Sequence, residues 1–183
     1  MNNLSRSILG ILIAVSFLVS CKNKSVDNNG KCFYGNQSVE SLVEKQLLTG
    51  DYSVDYHYTV SIPPDYTISE EGAEDFVVYY IFHVDTILES YFAGGIYFGN
   101  HPNTFEYCEN DNDEIKIVKN KIFGKNVKFT IYNCDMKYST QSITKSGSKE
   151  HWCKYIHMFG GATSEPELEK LFEVFQTLSK SKK

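Results

Sequence analysis

The stretch YSVDYHYTVS, from Tyr52 to Ser61, decides the fold class. Tyr52, Val54, Tyr56, Tyr58 and Val60 alternate with Ser53, Asp55, His57, Thr59 and Ser61. Successive side chains of a strand point to opposite faces, so this alternation predicts a strand with one apolar and one polar face. Pro63-Pro64-Asp65 ends it, and a second short strand is expected over Tyr66 to Ser69. The run FVVYYIF, Phe76 to Phe82, is apolar on both faces and predicts a central strand covered on both sides. Tyr91 to Phe98 continues the pattern. Gly94 and Gly95 inside it point to a bulge or to the close approach of a neighbouring element.

Further strands are expected at Ile115 to Val118 and at Asn126 to Cys134, where Val127, Phe129 and Ile131 share one face. Ser139 to Lys149 reads as a long polar connection to a last strand, His151 to Phe159. Two helices flank these strands. Val39, Leu42, Val43 and Leu47 form a stripe over Ser38 to Leu48, with Ser38 as cap and Gly50 as stop. Ser164-Glu165-Pro166-Glu167 is a capping box with proline in the first turn. Leu168, Leu171, Phe172, Phe175 and Leu178 follow at helical period, and Lys180, Lys182 and Lys183 lie at the negative end of the dipole. Helix, antiparallel strands, long helix predicts an α+β fold, a central antiparallel sheet with helices packed on both faces.

The first residues carry an address. Arg6 precedes an apolar run from Ile8 to Val19, the layout of a secretory signal and too short to span a bilayer comfortably. Its end, Leu18-Val19-Ser20-Cys21, resembles the bacterial lipobox. That resemblance implies a signal peptide over residues 1–20, lipidation of Cys21, and a membrane anchor through the N-terminal lipid. Lys22 after the lipidated cysteine implies the outer membrane rather than the inner. The polar stretch to about Lys31 reads as a tether, so residues 21–31 lead to a single domain over 32–183. Without Arg6, the only arginine, 17 lysines face 23 acidic residues, a formal charge of −6. An acidic chain without arginine lacks the forked donors that grip phosphates and guanine edges, which argues against nucleic acid as a partner.

The segments YTVSIPPDYTI, GGIYFGNHP, KIFGKNVKFTIYN and YIHMF, followed by the capped helix, resemble the PsbP-like group, which includes small DcrB-type lipoproteins. The likeness runs from about Tyr52 to Leu178. It implies the same central sheet with helices on both faces and a binding or assembly role, with no shared catalytic set.

Four cysteines remain beside Cys21, an even number in an oxidising compartment, and none lies in a CxxC. If the last two strands form a hairpin, Cys134 and Cys153 lie opposite or nearly so. The expected disulfides are therefore Cys134–Cys153 and, by default, Cys32–Cys108. His151, Cys153 and His157 share one parity, yet ligands six residues apart on a strand lie about 20 Å apart, too far to meet at one ion. Asp55 with His57, and His83 with Asp85, have a spacing that half-exposed strands produce constantly. The acidic run Glu109 to Glu114 offers oxygen ligands but lacks the glycine and distal glutamate of a calcium loop. His101-Pro102-Asn103 reads as a turn. No metal, cofactor or catalytic residue is expected.

Three functions compete. The first is a non-enzymatic envelope lipoprotein that binds a protein partner through a sheet edge or helix face. The second is an immunity protein against a secreted toxin, for which an acidic surface suits a basic effector. The third is a small-ligand carrier or enzyme using the histidine-bearing face or a pocket beside Gly94 and Gly95. A pocket with converging polar groups favours the third, and a solid core excludes it.

Overall fold

A computed structural model describes residues 25–26, 32–33, 42–47, 56–85, 89–105, 114–134, 137–148 and 153–182. The strands in chain order are β1 (Ser25–Val26), β2 (Cys32–Phe33), β3 (Val43–Leu47), β4 (Tyr56–Ile62), β5 (Tyr66–Ala73) and β6 (Phe76–His83). They continue with β7 (Phe92–Gly99), β8 (Glu114–Ile122), β9 (Lys125–Cys134), β10 (Lys137–Lys145) and β11 (Tyr155–Ala162). Helix α1 (Glu165–Gln176) and strand β12 (Ser179–Lys182) close the chain. One antiparallel sheet has nine strands in the order β2-β1-β8-β9-β10-β11-β7-β6-β5, and a second has three in the order β12-β4-β3.

The alternation in β4 is realised: Tyr58, Val60 and Ile62 are buried, while His57 is exposed. These three side chains and the apolar stripe of α1 pack on one face of the large sheet, here called inner, against Tyr79, Ile96, Phe98 and Phe129. The Tyr58 ring lies 4.7 Å from that of Phe98, and Phe172 meets Phe129 edge-on at 5.1 Å. The helix sits close because glycines face it. A Cβ on Gly94 would lie 2.9 Å from a Leu171 methyl, and one on Gly160 would lie 2.5 Å from the Ala93 carbonyl oxygen. The close approach expected at Gly94 is thus to α1.

The α+β sandwich with helices on both faces is not what forms. The protein is mostly β, with two antiparallel sheets and, among the described residues, one helix. Two misread segments account for this. Val43 to Leu47 is strand β3, paired with β4 from Val43↔Ile62 to Leu47↔Tyr58. Val43 and Leu47 share a face at helical spacing and at strand spacing alike, and β4 needs a hydrogen-bonding partner there. Residues 38–41 of the expected helix lie outside the described residues. The segment beginning at Ser139 is not a connection either, because it belongs to β10, which pairs with both β9 and β11. Its inward-facing Thr140 and Ser142 hydroxyls donate to the Thr130 and Lys128 carbonyl oxygens at 3.0 and 2.6 Å, so polar residues sit buried and satisfied.

β10 also overturns the Cys134–Cys153 disulfide. With β10 inserted, β9 and β11 are two strand spacings apart, roughly 9–10 Å, beyond the reach of a disulfide. Cys153 is a free, buried thiol, pushed up to about 11 by burial. Cys134 is disulfide-bonded, and its partner is not Cys153, which is free. Of the expected Cys32–Cys108 pair, Cys32 stands in β2 and Cys108 lies outside the described residues, as do the signal segment, Cys21 and most of the tether.

Helix α1 starts where expected, with Ser164 accepting from the Glu167 N–H. It ends earlier, at Gln176; of the lysines expected at its negative end, Lys180 and Lys182 belong to β12, and Lys183 lies outside the described residues. Lys180 ties that strand down: its Nζ donates to the Ser146 carbonyl oxygen at 2.6 Å and sits 4.4 Å above the Tyr56 ring.

Candidate functional site: an aromatic pocket on the outer sheet face

Among the described residues no helix covers the other, outer face of the large sheet. Across β6, β7 and β11 its side chains run in rows set by register: Phe76, Gly99 and Tyr155; then Val78, Tyr97 and His157; then Tyr80, Gly95 and Phe159. The two glycines leave gaps, and neighbouring rings fill them. Phe159 lies flat over Gly95, where a Cβ would come within 2.5 Å of the ring. Tyr97 folds over Gly99 and stacks on Phe76 with centroids 5.9 Å apart. Small Val78 is left between these rings as a floor.

The segment after β7 builds the remaining wall. Gln141, reaching up from β10, holds the Phe105 backbone at both ends of one residue: its Oε1 accepts from the Phe105 N–H at 3.0 Å and its Nε2 donates to the Phe105 carbonyl at 2.6 Å. The Tyr97 hydroxyl accepts from the His101 N–H at 3.0 Å. Phe105 is thereby set against His157, near-parallel with centroids 5.5 Å apart, and against Phe159 at 5.3 Å. The result is a half-open pocket of about 360 Å³, with Asp75, His101 and Asn103 completing its lining. That is the small end of the range for ligand pockets, roughly 300–1,000 Å³.

His157 is the unusual side chain of this wall. It is 2% exposed, and its Nε2 has no hydrogen-bond partner among the described residues. Burial holds its pKa down at about 4, so the ring is neutral at physiological pH. A buried polar atom without a partner costs about 1–3 kcal/mol, a cost the packing of this wall carries. Burial raises the Tyr97 phenol, the nearby Asp75 charge adds to that, and the His101 N–H partly offsets it.

The other expected positions do not converge. His157 and Cys153 are both buried, but no group of metal-ligating residues forms among the described residues, and His151 lies outside them. His83 pairs through Nε2 with Asp65 Oδ2 at 2.8 Å, while its Nδ1 accepts from the Asp85 N–H at 2.9 Å, a contact that fastens the end of β6. His57 is exposed, and its expected partner Asp55 lies outside the described residues, as do residues 109–113 of the acidic run. His101 to Asn103 is indeed without regular secondary structure, yet it lines the pocket. The signal available in the sequence was the alternation of glycine with large aromatics in GGIYFG, which leaves room for rings to lie across the sheet.

No protein-family model, no curated protein and no solved structure matches this chain.

Proposed function

We propose that this chain is an exported, lipid-anchored binding protein of the cell envelope, without catalysis of its own, that holds a small molecule in the aromatic pocket. The lipobox-like Leu18 to Cys21 supports the address. The observation that carries the binding role is the half-open pocket walled by Phe76, Tyr97, Phe105 and Phe159 with Asp75 at its edge. A pocket with polar groups, rather than solid packing, separates a small-ligand carrier from a pure docking protein.

Ligand removal tests this reading. The full chain, purified from its own envelope, should lose thermal stability when stripped over an apolar resin, because a ligand bound only by the folded state stabilises by mass action. Val78→Phe, which fills the pocket floor, should show the same melting temperature before and after stripping. An unchanged wild-type melting temperature would sink the proposal.

One observation favours a protein partner as a second reading. Ile115 is 61% exposed and Ile117 shares its face on β8, an apolar pair on the outer face. Affinity capture from the envelope that returned one stoichiometric protein, lost in Ile115→Lys, would support it. An empty capture would count against it.

A further inference from the structure

The pocket has a charge preference written into its walls. Among the described residues no lysine lines it, while the Asp75 carboxylate stands at its edge and its charge reaches the Tyr97 hydroxyl. Aromatic rings line it: Phe76 and Tyr97, stacked on each other, together with Phe105 and Phe159. Aromatic faces carry negative potential and attract a cation within about 6 Å of the ring centre. The buried His157 imidazole, kept neutral, adds no positive charge. An anion here would meet a carboxylate and aromatic rings, with no lysine among the described lining residues to balance it. A neutral hydrocarbon would leave Asp75 unused.

We propose that the occupant is a small organic amine in its ammonium form, seated among the aromatic rings, with Asp75 as counter-charge. This rests on the small-molecule reading above and narrows it to one charge class. The chemistry is recognition only; no bond is made or broken.

Three probes of similar size separate the charge classes: benzylamine, benzyl alcohol and benzoate, titrated calorimetrically into the full chain in a nonionic sugar-headgroup detergent. Benzylamine should bind about tenfold or more tightly than benzyl alcohol, and benzoate should not bind measurably. Asp75→Asn, in an exposed turn, should weaken benzylamine several-fold and leave benzyl alcohol unchanged. Val78→Phe should abolish binding of both. Should that variant misfold, Phe105→Ala at the exposed rim removes one ring wall and should weaken benzylamine in its place. Benzyl alcohol or benzoate binding as tightly as benzylamine would overturn the cation assignment while leaving the pocket as a binding site. Indifference of benzylamine to Asp75→Asn would do the same. If none of the probes binds, the cation assignment falls, and the stripping experiment decides separately whether the small-molecule reading falls with it.

Discussion

His157 couples the pocket to acidity. Its folded pKa lies near 4 against an ordinary value of 6.5, so in that interval the unfolded chain takes up a proton that the folded chain refuses. The stability it contributes is present in full above about pH 6.5 and is lost as pH falls towards about 4, by about 3 kcal/mol across the window. Chemical denaturation of the full chain between pH 7 and pH 4 should show this slope. In His157→Phe, which keeps a ring against Phe105 and Phe159, the slope should be shallower by about that amount; an identical slope would refute the assignment. Gly160 gives a second test at this scale. A Cβ there meets the Ala93 carbonyl and Gly94 backbone as well as Leu171, and backbone cannot step aside. Gly160→Ala should cost about 1–3 kcal/mol in urea denaturation. Neither residue announced itself: His157 attracted notice only for its parity with His151 and Cys153, because strand parity shows which face a side chain takes and nothing about what crosses that face.

At the scale of elements, the junction between α1 and the small sheet hangs on Thr177. Its Oγ1 accepts from the Ser61 N–H of β4 at 2.7 Å and lies 2.7 Å from the Val174 carbonyl oxygen, where β12 has not yet begun to pair. Thr177→Val keeps the shape and orphans the Ser61 N–H, so the domain should lose about 1–3 kcal/mol, with faster amide exchange at Ser61. Unchanged exchange there would show that water replaces the hydroxyl. The elements legible in advance were those whose pattern has one physical reading: the alternation of β4 and β9 and the capped start of α1. β10 was illegible because its buried Thr140 and Ser142 satisfy themselves on neighbouring carbonyls, so a core-facing strand looks like a polar loop. β3 was illegible because Val43 and Leu47 fit both periods, and only its pairing with β4 chooses between them.

For the whole molecule, the missing strand had the largest consequence, since inserting β10 separates β9 from β11, leaves Cys153 as a free thiol and widens one sheet to nine strands. A mass shift of one alkyl group at Cys153 after denaturation without reductant is expected, and absence of that shift would contradict the free thiol. The proposed lipid anchor has its own test: Cys21→Ser should move the full chain from the membrane to the soluble fraction, and retention in the membrane would contradict lipid anchoring. What joins these scales is the outer face of the large sheet, where Gly95, Gly99 and Val78 make room and Phe105 and Tyr97 wall it in. Native mass spectrometry of the full chain from its own envelope tests that claim most directly. A second mass peak, displaced by one small molecule in wild type and missing in Val78→Phe, is the predicted result; a single bare-protein peak in both would contradict it.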